Sequence, residues 1–81
     1  MSIRVLFFAA LADATGTHAS DLEASLCPDV ASIFDRFARD FPGLEAHRQS
    51  VLCAVNSRFA RSDAPVHDGD EVAFFPPVSG G

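Results

Sequence analysis

The residues with the clearest chemical potential stand at the end of the chain, where Gly80 and Gly81 follow the pair Pro76-Pro77. Glycine has no Cβ, so a chain that ends in two glycines can enter a narrow channel and present its carboxylate unobstructed. Residues 78–81, fully extended, would reach about 13 Å, at ~3.3–3.6 Å per residue. This pattern predicts that the α-carboxylate of Gly81 is the working group and that Gly80 gives it access to a partner's active site.

The histidines and interior carboxylates show no comparable arrangement. His18, His47 and His67 stand alone in polar segments, without the spacing of metal ligands. The carboxylates between residues 63 and 71 resemble part of a calcium loop, but the twelve-residue pattern that ends in Glu is missing. We therefore expect no metal site and no permanently bound cofactor.

The two cysteines do not look like nucleophiles. Cys53 lies in an apolar run, where a thiol packs as a small hydrophobic group, and Cys27 has no base or cation next to it in sequence. We expect both to be reduced and buried in a cytosolic protein, with a single disulfide between them as the open alternative.

Length and charge restrict the classes of protein and of partner. A chain of 81 residues has room for one domain with one core. Its net charge is −5, and its six basic residues are scattered arginines, so nucleic acid is a poor partner and a basic protein face is a better one. The absence of lysine reflects either an Arg-favouring genome or a need to keep amines away from an activated carboxyl end.

The N-terminal segment imitates a secretory signal, because Arg4 precedes the apolar run from Val5 to Leu11. We reject that interpretation, since cleavage would remove the best strand of the chain. No segment approaches the ~20 apolar residues of a membrane span, and we expect a cytoplasmic protein with no membrane partner.

The elements that must position the tail can be read from hydrophobic periodicity. Strands are predicted at Ile3 to Phe8, Thr17 to Glu23, Val51 to Val55, Arg58 to Arg61 and Glu71 to Phe75, with a helical turn at Ala9 to Ala14. Apolar side chains at helical spacing predict one long helix: Val30, Ile33, Phe34, Phe37 and Phe41. Asp29 should cap its start, and Pro42-Gly43 should end it.

One helix can cover only one face of a sheet, so this order predicts an α+β fold. The expected architecture is a ubiquitin-like β-grasp, a mixed sheet of four to five strands around one main helix. The domain spans residues 1–75, and residues 76–81 form an extended tail. Alternation places Phe8 and Phe75 on the open face of the sheet, with Phe59 near them.

The chain also resembles a known family in its motifs. The stretch Asp68 to Gly81, DGDEVAFFPPVSGG, is similar to the C-terminal signature of molybdopterin synthase small subunits. The resemblance extends to VLFFA at residues 5–9, to Gly16-Thr17 and to AVN at residues 54–56. The total length also fits, so the resemblance covers the whole chain, with its most specific motifs at the two ends. Members of this family are ubiquitin-like β-grasp sulfur carriers.

The resemblance implies a mechanism centred on Gly81. A ubiquitin-activating-like enzyme would consume ATP to adenylate Gly81, which would then become a thiocarboxylate. Inside the large synthase subunit its sulfur would be donated to cyclic pyranopterin monophosphate. The chain is thus not catalytic alone but a sulfur-donating subunit. Its partner-binding residues would be Phe8, Phe59, Phe75, Pro76, Pro77 and Val78.

Other interpretations stay open. The same tail chemistry serves sulfur carriers for thiamine or cysteine synthesis, although FPPV at residues 75–78 argues against them. The same chemistry also serves ubiquitin-like protein modifiers, in which case Gly81 would form amide bonds to lysines of other proteins. A further alternative is a binding domain whose terminal glycines are incidental and have no chemical role. Many relatives carry a basic residue in the short helix, whereas Ala9 to Ala14 has none, so any ion pair made there is in doubt.

Overall fold

The computed structural model describes residues 2–26 and 28–77, which form one five-stranded sheet with two α-helices. The strands are β1 (Ser2–Phe7), β2 (Ala19–Glu23), β3 (Leu52–Val55), β4 (Arg58–Ala60) and β5 (Glu71–Phe75). The helices are α1 (Ala10–Thr15) and α2 (Val30–Asp40), with short 3₁₀ helices at Ala24–Leu26 and Pro42–His47. The predictions for Cys27, Val78, Gly80 and Gly81 lie outside the described residues.

The sheet is mixed, as predicted. Its strand order is β2-β1-β5-β3-β4. The first and last strands, β1 and β5, are parallel neighbours in its interior, and every other pair is antiparallel. A parallel pair cannot be joined by a hairpin, so the chain between β1 and β5 must cross over, and it carries α2 in that crossover.

The core lies between α2 and one face of the sheet. Alternation buries every second residue of β1 and β5, and α2 buries the apolar stripe predicted from its period. Phe7 contacts Phe37 edge to face, with 5.0 Å between ring centroids, and stacks on Phe74 at 6.0 Å. Phe34 meets Phe74 at 5.6 Å. These rings join the helix to the two central strands.

The ends of α2 follow the predicted signals with one difference. The Asp29 carboxylate accepts hydrogen bonds from the Ser32 N–H at 2.9 Å and from the Ser32 hydroxyl at 2.7 Å, so the cap satisfies one free backbone N–H of the first turn. At the other end the helix stops at Asp40, so Phe41 is a half-buried C-cap residue rather than a member of the helical stripe.

The segment after α2 holds a 3₁₀ helix that periodicity did not reveal. Leu44 is fully buried there. Arg48 holds the segment against α2, because its guanidinium bonds Asp35 at 2.7 Å and Glu45 at 2.6 Å and lies 4.9 Å from the centroid of the Phe34 ring. Arg48 thus joins the 3₁₀ helix to α2.

The turn between β3 and β4 is joined to the start of β5 by side-chain hydrogen bonds. Asn56 and Ser57 both have positive φ, as a tight hairpin turn requires. The Asn56 amide donates to Asp70 at 2.9 Å and accepts from the Glu71 N–H at 3.0 Å. Asp70 also accepts from the His67 N–H at 2.8 Å. The network fixes the start of β5 relative to the hairpin.

This network predicts acid sensitivity. The hydrogen bonds from Asn56 and from the His67 backbone lower the pKa of Asp70 below its ordinary value. A carboxyl whose folded pKa is lowered stabilises the protein above the unfolded pKa, about 4 for Asp, and that stabilisation is lost as the pH falls through the folded pKa.

We expect the melting temperature of the natural chain to fall more steeply than that of Asp70→Asn as the pH decreases from about 5 through the folded pKa of Asp70, because Asn keeps the shape and has no charge to lose. Thermal unfolding of both chains across this range would measure the difference. Parallel curves would contradict a role for the Asp70 charge.

No helix among the described residues has the length and apolar character needed to cross a membrane.

Candidate functional site

The candidate site lies where β5 leaves the domain, and its main feature is a group of three phenylalanines. We call Phe8, Phe59 and Phe75 the aromatic cluster. The Phe75 ring centroid is 6.3 Å from that of Phe8 and 5.6 Å from that of Phe59. The exposed fraction is 46% for Phe8 and 77% for Phe59, and Phe75 is half-buried between them. The predicted proximity of the three rings is therefore confirmed.

Two strands place Phe8 and Phe75 on the open face. In β5 the buried Phe74 precedes the outward-facing Phe75. Phe7, the last residue of β1, is buried and pairs with Phe74 in the parallel register, and Phe8 follows directly after the strand. The Phe8 N–H donates to the Phe74 carbonyl at 3.1 Å, so the pairing continues to the end of the sheet. One residue of slip in either strand would send its outward ring into the core.

The β3–β4 hairpin supplies the third ring. Ala54 of β3 pairs with both Ala73 of β5 and Phe59 of β4, which puts Phe59 two strands away from β5 on the same face. The small side chain of Ala54 leaves room for the Phe59 ring to reach Phe75. The tight turn at Asn56-Ser57 sets this register.

Half-buried aliphatic side chains extend the aromatic cluster across this end of the open face. They are Leu6, Leu52 and Ala73. The sequence analysis did not assign them to the site, although strand alternation puts Leu6 on the face of Phe8 and Ala73 on that of Phe75. An exposed apolar surface of this kind marks a docking site more often than an inert one.

The opposite end of the same face is polar. Arg4 of β1 is 3.9 Å from Asp21 of β2, a long and exposed pair. Glu23 and Glu71 are exposed. They lie on the same face, because Glu23 pairs with Ser2 and Glu71 pairs with Arg4. The open face thus combines an apolar end, beside the chain exit, with a charged end of net negative sign.

The tail leaves the domain directly beside the aromatic cluster. β5 ends at Phe75, and proline has no N–H to continue the ladder. Pro76 is half-buried and Pro77 is exposed. The proposed roles of Val78, Gly80 and Gly81, and the division of domain from tail after residue 75, stay predictions.

Cys53 and the three histidines are among the described side chains that the sequence analysis weighed as nucleophiles or metal ligands. Cys53 is buried, its thiol donates to the Ala60 carbonyl at 3.1 Å, and burial raises the pKa of the thiol. His18 and His67 are exposed and His47 is half-buried. In residues 2–26 and 28–77 no three His, Cys, Asp or Glu side chains lie together as metal ligands would.

Comparison with known proteins shows full-length similarity to one family. The model of the ThiS family matches residues 5–81. The molybdopterin synthase sulfur carrier subunit of Escherichia coli (strain K12) is 42% identical over 81 residues, which covers 98% of this chain and 99% of the relative. The earlier resemblance is thereby confirmed.

Solved structures give the same fold. The crystal structure of SAMP1 from Haloferax volcanii matches with a TM-score of 0.82 and 28% identity over 100% of both chains. The complex of subunits 1 and 2 of the molybdopterin-converting factor from Helicobacter pylori 26695 matches with a TM-score of 0.69 and 22% identity, again over 100% of both chains. The predicted ubiquitin-like β-grasp is confirmed.

Proposed function

We propose, from the premise that this chain belongs to the ThiS family, that it is the sulfur carrier subunit of a molybdopterin synthase. The observation that carries the proposal is the full-length relation to the E. coli sulfur carrier subunit, at 42% identity. The family match also extends to residue 81, so it includes the proposed working residue. The expected location is the cytoplasm.

The chemistry takes place at the Gly81 carboxyl carbon. A free carboxylate resists nucleophilic attack, so a ubiquitin-activating-like enzyme first joins it to AMP and releases pyrophosphate from ATP. Hydrosulfide released by a donor then attacks the acyl carbon, and a C–S bond forms as the C–O bond breaks and AMP leaves. Loss of the remaining S–H proton gives the thiocarboxylate. In the large subunit this sulfur bonds a carbon of cyclic pyranopterin monophosphate, which makes a thioester between Gly81 and the substrate. Water then cleaves the acyl C–S bond, so the sulfur stays on the pterin and Gly81 returns to a carboxylate.

The domain contributes the binding that this chemistry needs. Ordering residues 78–81 costs roughly 1–2 kcal/mol per residue, and contacts elsewhere on the body must offset that cost. The aromatic cluster lies beside the exit of the tail and supplies those contacts to the large subunit and to the adenylating enzyme. Docking must be reversible, because one site needs two sulfurs and must exchange carriers; a modest apolar patch with a polar border suits this.

Intact-mass measurement tests the proposal. The purified chain is incubated with ATP, an adenylating enzyme and a sulfur donor. We expect a mass gain equal to the exchange of one oxygen for one sulfur, because the activated Gly81 carboxyl accepts sulfur in place of AMP. The matched control omits ATP and should show no gain. A chain that never gains this mass with active enzymes would overturn the proposal.

A protein modifier is the second candidate, and one observation favours it. The Haloferax structure, which has the higher TM-score of the two reported above, is that of SAMP1, small archaeal modifier protein 1. A modifier would form amide bonds between Gly81 and lysines of other proteins. Conjugates in a cell lysate would indicate the modifier, whereas a free thiocarboxylate would indicate the carrier.

Sulfur carriers for thiamine or cysteine synthesis share the activation step. They differ only in the acceptor of the sulfur. Supplying the loaded chain with the molybdopterin large subunit and its pterin substrate would separate them, because only the molybdopterin carrier should transfer its sulfur there.

A further inference from the structure

A groove of about 650 Å³ runs between the start of α2 and the β3–β4 edge of the sheet. Its apolar lining includes Ala31 and Phe34 of α2, Leu52 and Cys53 of β3, and Phe59 and Ala60 of β4. Sites that hold a ligand's apolar groups have volumes of about 300–1,000 Å³, so the groove is large enough for one or two big side chains.

The groove exists because α2 covers the centre of the sheet and leaves the β4 edge open. The helix packs its rings on β1 and β5, through the Phe7–Phe37 and Phe34–Phe74 contacts. Between α2 and β4 the lining residues are small: Ala31 on α2 and Ala60 on β4, both half-buried. The space between helix and edge strand is therefore unfilled.

The groove is continuous with the aromatic cluster. Phe59 lines the groove and also lies 5.6 Å from Phe75, and Leu52 lines the groove while pairing with Phe75 in the sheet. The apolar surface thus passes from the open face around the β4 edge, with Phe59 at the corner and 77% of it exposed. A partner that covers the aromatic cluster can therefore contact the groove through the same continuous apolar surface.

The charge of the groove differs from that of the chain. The chain has a net charge of −5, yet the charged residues that line the groove are both arginines, Arg48 and Arg61. Arg48 is already held by Asp35 and Glu45. Arg61 has 88% of its side chain exposed and only a 3.5 Å contact with Asp63, so it is able to meet a carboxylate from outside.

We propose that this groove is the second half of the docking surface. It receives a large aliphatic or aromatic side chain of the docking partner, with a carboxylate of the same segment placed beside Arg61. The inference rests on the proposed function, because the partner is the large synthase subunit that covers the aromatic cluster. The partner would then hold the β4 edge from both sides, which fixes the direction in which the tail enters its site.

Two variants test the groove without touching the aromatic cluster. Ala31→Glu places a carboxylate in the groove, next to Arg61, and an acidic residue is favourable in the first turn of a helix, so folding should be unaffected. Arg61→Ala removes the cation. The matched control is Ala46→Glu, the same change at an exposed position outside the groove. Binding to the large subunit is measured by titration calorimetry, and thermal unfolding by circular dichroism.

We expect Ala31→Glu to weaken binding by about tenfold or more and Arg61→Ala by a few-fold. Blocking the groove should exclude the partner's side chain, whereas Arg61→Ala removes only one exposed charge at its border. Ala46→Glu should bind like the natural chain. Cys53, which lines the groove and is 8% exposed, gives an independent readout. Its alkylation, followed on the tryptic peptide from Gln49 to Arg58, should slow when the large subunit binds.

The outcomes separate this inference from the proposed function. Unchanged affinity of Ala31→Glu, together with weakened binding of Phe75→Ala, would overturn the groove and leave the sulfur carrier intact. A dimer of the free chain that Ala31→Glu disrupts without altering large-subunit affinity would also overturn it, because the occupant would then be a second copy. Failure of the natural chain to bind the large subunit at all would overturn both.

Discussion

Removal of Gly81 is expected to abolish sulfur transfer and to leave thermal unfolding unchanged. The residue lies beyond the described domain, whose sheet ends at Phe75, so the core should not sense its loss. The shortened chain would present its carboxylate ~3.3–3.6 Å short of the reacting position. Since a misplacement of about 1 Å can cost about 100-fold in rate, a loss of at least about 100-fold is expected.

Single-turnover transfer from the loaded chain to the pterin substrate measures this effect. Ser79→Ala is the matched control, because it alters the same segment without changing its length or its terminal carboxylate, and near-natural transfer is expected. Transfer by the truncated chain at the natural rate would rule out Gly81 as the sulfur-bearing residue.

The second large effect is a contrast between two neighbouring phenylalanines. Phe74 is 1% exposed and contacts the rings of Phe7 and Phe34, so Phe74→Ala should leave a cavity in the centre of the core. Such changes cost about 3–5 kcal/mol, a large share of the ~5–15 kcal/mol that holds a domain together. Chemical denaturation should show a strongly lowered midpoint.

Phe75→Ala should show the reverse. Its ring lies on the open face between Phe8 and Phe59, so its removal takes away docking surface and little of the core. Large-subunit affinity should fall by about tenfold or more, with a much smaller loss of stability than for Phe74→Ala. A large loss of stability with unchanged affinity would place Phe75 in the core instead.

The local elements were predictable because their signals are local. The bounds of β5 and the start of α2 at Val30 agree with the sequence prediction, since alternation and helical spacing act over neighbouring residues. The capping of α2 by Asp29 was predictable for the same reason. The 3₁₀ helix at Pro42–His47 was not predictable, because it depends on burial of Leu44 and on the Arg48 contacts with residues of α2.

The sequence by itself determined which residues turn inward and which outward, the chemical identity of the tail and the acidity of the chain. Tertiary structure decided which outward residues meet. The ring of Phe59 reaches that of Phe75 only because β3 lies between β4 and β5. The groove beside α2 likewise depends on strand order, because β4, the edge strand of the sheet, supplies part of its lining. Strand order joins residues far apart in the chain, and no local period carries that information.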